Sequence, residues 1–348
     1  MKALVYRGPR DIRFESVADA VLPNERGAIV RVRAAGICGS DLHIYDGHGF
    51  VPGEGYTVGH EAVGVVEAVG TAVANFSVGD EVFVSASIGC GRCRECARGL
   101  VILCENPAES GVYGIGMGIG GCQAELVAVT AADSNLFSLP KGVSDDSALV
   151  LTDNAPTGWF GARLGRIAPG DTVAVVGLGP VGLMAVTAAV VMGASTVYAV
   201  DPVASRRAQA VALGAVAVSG DPVSDIQQAT GGRGVNVVVE AVGADQTIAL
   251  SNSLAGRGGR VSVVGVNQRR DFPFDMVLAQ IKCLEFTIGL CSVQHELPAL
   301  LALTTSGRID PGRIVTNRFS LADGADAYAC FAARGDGVSK VVLDIATD

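Results

Sequence analysis

Four cysteines fall in one glycine-rich stretch, spaced Cys90-x2-Cys93-x2-Cys96-x7-Cys104. Tetrahedral zinc wants four soft ligands, and closely spaced thiolates supply them while demanding little of the fold. Four thiolates fill the coordination sphere and leave no position for a substrate, so such an ion would be structural. An iron-sulfur cluster is the rival reading, but the last spacing is long for the ferredoxin run and no Cys-Pro follows. A second set of chemically capable residues is scattered through Gly36-Ile-Cys38-Gly-Ser40-Asp41-Leu-His43, Gly59-His60-Glu61 and Asp153-Asn-Ala-Pro-Thr157-Gly158. Singly, Cys38 reads as a small buried residue, His60 as a satisfied core histidine and Asp153 as a helix cap or turn residue. Jointly, Cys38, His60 and a third donor make an open metal site, the kind that keeps a position for water or substrate.

A third constellation is Gly177-Leu-Gly179-Pro180-Val181-Gly182, entered from the β-branched run Thr172 to Val176 and followed by a long apolar stretch. Strand, tight turn and buried helix in that order suit a dinucleotide. One glycine permits the turn, one lets the backbone approach a pyrophosphate, one lets helix and strand pack, and the helix N-terminus faces the phosphates. Asp201 closes the next apolar run and stands where a carboxylate hydrogen-bonds the adenosine ribose, which favours NAD. Thr172 to Ala194 carries no charge and is long enough to cross a bilayer, but three glycines and Pro180 interrupt it and no second span or basic flank accompanies it.

These residues need two kinds of scaffold. Short β-branched runs at 2–6, 29–35, 62–69, 80–85 and 124–130 suit a small barrel. From about residue 155 strands and helices alternate: strands 172–176, 196–200, 215–218, 235–239, 260–264 and 285–290, with helices from Pro180, at 205–213 and at 245–255. That pattern is α/β, a doubly wound parallel sheet binding ligands at the carboxyl ends of its strands. The remaining stretch, with a helix at 297–306 and a final strand at 340–344, is too short to fold alone and returns to the first domain. The expected division is 1–154 with 293–348, and 155–292.

With 348 residues, two domains are expected. A hydrophobic content of 49% against 18% charged residues describes a compact soluble protein. Net charge of -9 and a pI near 5.0 argue against nucleic acid or an anionic membrane as main partner. The N-terminus lacks a signal-peptide pattern, so nine cysteines read as thiols or metal ligands in a reducing, cytoplasmic setting.

The motifs GICGSDLH at 36–43, GHEAVGVVEAVG at 59–70, the four-cysteine loop, DNAPTG at 153–158 and GLGPVG at 177–182 together resemble the zinc-dependent medium-chain alcohol dehydrogenase family along essentially the whole chain. The resemblance implies a GroES-like β-barrel catalytic domain and a Rossmann cofactor domain meeting at a cleft. It implies two zinc ions per chain: a structural ion on Cys90, Cys93, Cys96 and Cys104, and a catalytic ion on Cys38, His60 and a third ligand that varies in the family. Asp153 fits the aspartate type of secondary-alcohol dehydrogenases, although relatives of that type can lack the four cysteines. Hydride would pass between an alcohol carbon and the nicotinamide, with zinc as Lewis acid. Ser40 would receive the alcohol proton and His43 pass it outward, Asp41 would orient His60, and Glu61 would be an occasional fourth ligand. Thr157, Val242, Val264, Arg206 and Lys340 are the further cofactor contacts implied. Phe50, Ile115, Met117 and Trp159 are candidate pocket walls. Dimers or tetramers are implied for the assembly. A polyol, sugar or formaldehyde dehydrogenase on the same frame, a zinc-free enone reductase and a non-catalytic nucleotide-binding protein are the alternatives.

Overall fold

A computed structural model describes residues 1–49, 51, 53–269 and 274–346, so Phe50 lies outside the described residues. The chain divides into two compact units, Met1–Pro156 with Ser292–Asp348, and Thr157–Cys291.

In the first unit the strand Ala28–Ile37 is the spine. Ala62–Val69 runs antiparallel along one side, and Leu126–Val129 and then Lys340–Asp344 share the other. The sheet continues outward through Glu81–Val84 to Leu136–Ser138, and through Lys340–Asp344 to Val315–Ser320. A separate three-stranded sheet orders Asp11–Ser16, Lys2–Gly8 and Tyr56–Thr57. Register does the positioning. Ala35 pairs with Ala62 and Ile37 with Val341, so Cys38 leaves the spine next to the points where His60-Glu61 and Lys340 enter their strands.

The second unit is a six-stranded parallel sheet in the order Val216–Val218, Thr196–Val200, Thr172–Val176, Val235–Glu240, Ala255–Val263, Glu285–Ile288. Chain order reverses between Thr172–Val176 and Val235–Glu240, the crevice where such sheets bind ligands. The helix Pro180–Val191 starts there, with Gly179 as its N-cap and proline as its first residue.

Some elements differ from the sequence expectation. The strand expected at 260–264 begins at Ala255, because a shift of register between Val235 and Val237 carries its glycines into the ladder. The helix expected at 297 begins at Val293 and contains Pro298, which reads from sequence as a first-turn residue. Strand Val315–Ser320 and helices Pro222–Ala229, Met276–Lys282 and Gly324–Ala332 have no counterpart in that expectation. Val315–Ser320 alternates half-buried and exposed residues with polar side chains among them, so its apolar signal is faint. No helix among the described residues is long and apolar enough to cross a membrane.

Candidate functional site

The short helix Gly39–Tyr45 follows directly on the spine and carries Ser40, Asp41 and His43. Asp41 is buried and serves two masters: its Oδ2 accepts from Cys38 N at 2.8 Å, and its Oδ1 lies 3.3 Å from His60 Nδ1. The backbone of one candidate ligand and the ring of another are thus fixed by one carboxylate. His60 precedes its strand by a turn in which Gly59 has φ +89°, and a Cβ there would sit 2.4 Å from Gln123 Cγ. Gln123 in turn donates to Gly36 O at 2.9 Å and accepts from Tyr328 at 2.9 Å, tying that turn to the end of the spine. Asp153 follows the helix Asp145–Leu151, which Ser144 caps, and Thr152 O accepts from Ala86 N at 3.0 Å.

These elements bring donor atoms of Cys38, His60, Glu61 and Asp153 within 4.8 Å of one another. Cys38 Sγ is 3.3 Å and His60 Nε2 is 3.5 Å from Asp153 Oδ2. Bonds of about 2.0–2.3 Å put tetrahedral zinc ligands about 3.3–3.8 Å apart, so the donors fit zinc in both type and spacing. With Nδ1 turned to Asp41, Nε2 is the nitrogen left for a metal, and the carboxylate holds the ring in that orientation. Burial raises the Cys38 thiol and Asp153 reinforces the rise. Burial alone would lower His60, but Asp41 and Asp153 raise it well above the ordinary histidine range. Asp153 stays ionised: burial opposes that, yet His60, Cys38 and Lys340 hold it down at about 2. A cation at the centre of such a set displaces the thiol and imidazole protons.

Glu61 is fully buried, and its carboxylate pairs with Lys340 Nζ, which also donates to Ile37 O at 3.2 Å. Lys340, expected as a cofactor contact, is engaged here by Glu61 and Ile37 O. The pairing of Val341 with Ile37 turns it into the interior of the first unit, where its ammonium is fully buried and committed to Glu61.

The four-cysteine set is equally compact, with Cys93 Sγ 3.9 Å from Cys104 Sγ, close to the ~3.8 Å edge of a tetrahedral sulfur site. Backbone N–H groups point at the sulfurs. Those of Cys96 and Glu105 hold the Cys93 thiol down at about 6, while burial pushes Cys96 up to about 12. Arg26 anchors the loop by donating to Glu109 and, at 2.6 Å, to Cys90 O. Cys96→Ser is expected to weaken metal binding and to cost about 3 kcal/mol of stability, or about 6–12 °C in Tm. A differential-scanning measurement that finds the melting temperature unchanged would remove the structural role.

In the second unit the three glycines differ as their expected tasks differ. Gly177 has φ +86°; a Cβ on Gly182 would sit 1.8 Å from Gly177 O; a Cβ on Gly179 would meet nothing within 4 Å. Tight turn, close packing and an open approach for a diphosphate are all present, so the residues fit a dinucleotide. Asp201 accepts from Leu178 N in that turn and from Val203 N, both at 2.8 Å. Arg207, beside the expected Arg206, donates to Asp201 O at 2.6 Å and Pro202 O at 2.9 Å. Glu240, absent from the sequence expectation, ends its strand fully buried. Its carboxylate accepts from Val242 N, Gly243 N and Thr247, and its carbonyl accepts from Val264 N. Both expected valines therefore hang on it, and an acid closing a β-branched strand, as Asp201 does, was the available signal. Thr157 opens this unit, beside Gly158, where a Cβ would lie 2.6 Å from Ala185 N. Among the candidate pocket walls, Ile115 packs on the core of the first unit and Met117 is 62% exposed.

Residues 24–141 match the model of the alcohol dehydrogenase GroES-like domain and residues 180–306 that of the zinc-binding dehydrogenase. The chain is 39% identical, over 96% of its length and 86% of the other's, to a probable zinc-binding alcohol dehydrogenase of Mycobacterium tuberculosis. Among solved structures it is similar to the alcohol dehydrogenase of Thermus sp. ATN1, at 39% identity and TM-score 0.92, covering 99% of this chain and 100% of that one. It is also similar to zinc-dependent alcohol dehydrogenase 2 of Streptococcus pneumonia, at 35% identity and TM-score 0.93, covering 100% and 99%.

Proposed function

The chain belongs to the zinc-binding medium-chain alcohol dehydrogenase family and is a zinc-type alcohol dehydrogenase, and from that premise we propose that it interconverts secondary alcohols and ketones with NAD. The observation that carries the reading is the convergence of Cys38, His60 and Asp153, a donor set with a carboxylate as its third member. Zinc held by these three would supply Lewis-acid polarisation of the alcohol oxygen, and NAD would supply the hydride acceptor.

The remaining work falls to the chain. With zinc bound, Cys38 thiolate and Asp153 carboxylate would neutralise its two charges and so moderate its pull on the alcohol proton. Ser40 Oγ lies 3.4 Å from His60 Nε2, at the edge of the donor cluster, which supports a role in taking that proton, with His43 as the next group outward. Burial lowers the His43 pKa, and His48 and Arg334 lower it further against the opposing pull of Asp46, so the ring stands neutral and able to accept. Glu61, whose carboxylate pairs with Lys340 within the same donor cluster, would be the occasional fourth ligand. Asp201 would meet the ribose of NAD and repel the extra phosphate of NADP.

We place the enzyme in a homodimer or homotetramer. Edge strand Glu285–Ile288 is hydrogen-bonded on one side only and exposes all four residues, with Phe286 and Ile288 among them. Such an apolar edge is a template for pairing unless it is covered.

Steady-state kinetics on a panel of primary, secondary and polyhydroxylated alcohols test the reading. The highest kcat/KM should fall on a secondary alcohol, with NAD preferred over NADP by about tenfold or more, as one like-charge contact in a phosphate site requires. A polyol as best substrate would replace the substrate assignment. Equal use of both cofactors would remove the role of Asp201.

A further inference from the structure

The side chain of Asn154 is fully buried, and its amide nitrogen faces three acceptors: Glu61 Oε1 at 2.9 Å, Asp153 Oδ2 at 3.1 Å and Cys38 Sγ at 3.5 Å. Two N–H bonds are thus shared among three atoms, every one of them on a member of the candidate metal cluster. On its other side, Asn154 Oδ1 is buried with no hydrogen-bond partner among the described residues. Shape alone does not orient an amide, but chemistry does here. Turned over, the group would set a carbonyl oxygen against two carboxylates and a sulfur. The unsatisfied oxygen is the consequence of pointing the nitrogen at the cluster.

Resting on the assignment of Cys38, His60 and Asp153 as metal ligands, we propose that Asn154 is the positioning residue of the metal centre. Its amide draws three acceptors, a sulfur and two carboxylates that repel one another once the thiol proton is displaced, to a common spacing and thereby sets the affinity of the site for a divalent cation. A neutral donor suits this task better than a cationic one. A lysine or arginine would gather the same anions but would set its own charge against the metal. The ammonium of Lys340 reaches Glu61 and Ile37 O, whereas the amide reaches Cys38 and Asp153 as well as Glu61. The helix that begins at Asn154 also makes the arrangement economical, since Asp153 and its own positioning group are consecutive in the chain.

The zinc-loaded enzyme is challenged with graded chelator and the zinc remaining per chain is measured, in the wild type and in Asn154→Leu, which keeps the branched skeleton of asparagine but is bulkier and cannot donate. The wild type should lose two ions in separate steps. In the variant one step should move to about 10- to 100-fold lower chelator, the usual effect of losing a partner that orients metal ligands, while the four-cysteine step stays in place as the internal control. Two steps at unchanged chelator, or an equal shift of both, overturn the proposal alone. A wild type carrying a single ion overturns the metal assignment and the proposal with it. Should Asn154→Leu fail to fold, Asn154→Ser and Asn154→Ala decide. The serine hydroxyl can still donate to one acceptor, so the serine form must hold its zinc more tightly, and equal retention refutes the role.

Discussion

Cys38→Ala is expected to lower turnover about a thousandfold or more while the affinity for NADH stays within about twofold. Metal polarisation of the reacting oxygen is worth several kcal/mol, and each 1.36 kcal/mol is a factor of ten in rate. Cys38 is the soft ligand of the set, 3.3 Å from Asp153, so its loss leaves one imidazole and a carboxylate to hold an ion that prefers at least three protein ligands. The nucleotide turn at Gly177, Gly179 and Gly182 belongs to the other compact unit, where it packs on Ala241 and Val242. NADH binding by fluorescence titration therefore separates a chemical defect from a folding one. A variant that keeps a tenth of wild-type kcat with its metal gone would end the metal-dependent mechanism.

Lys340→Met should lower stability by about 3–5 kcal/mol, the cost of leaving one member of a buried ion pair alone. Lys340 and Glu61 are both fully buried, so water cannot take the place of the lost ammonium. Burial already raises the Glu61 carboxyl and Lys340 is the first influence that opposes it. Adding Glu61→Gln should return most of the loss, because the amide is neutral and can still meet Asn154. Thermal or denaturant unfolding of the two single variants and the double variant makes a complete cycle. Additive losses in that cycle, or a Lys340→Met protein as stable as the wild type, would show that the two side chains are not energetically paired.

Much of the site was legible because its signals are local. The four cysteines lie within one loop, the three glycines within one turn, and His60 and Glu61 side by side in a single motif. Even Cys38 and Asp153, far apart in the chain, sit in short recognisable phrases. What escaped was set by register and by hydrogen bonding. Lys340 is one of four lysines in the sequence, but nothing in its own stretch names a partner, and only the pairing of Val341 with Ile37 places it against Glu61, 279 residues away. Gln123 belongs to no motif, and Asn154 stands inside DNAPTG beside Asp153 without a task of its own legible there; their meaning lies in which groups they reach. In the final segment, Gly324–Ala332 is alanine-rich and blurs the contrast between its two faces, so a helix there has little to announce it.

The span of chain that each metal set must gather has a bearing on the order of assembly. Cys90 and Cys104 are 14 residues apart, whereas Cys38 and Asp153 are separated by 115. Loop-closure entropy grows only with the logarithm of length, yet the difference still amounts to about 2 kcal/mol, before counting the sheet register that the distant pair also requires. The cysteine loop can be knotted around an ion while the chain is still emerging. The other centre waits until the spine strand has found both its neighbours, so a chain able to turn over substrate is one whose first unit has already closed.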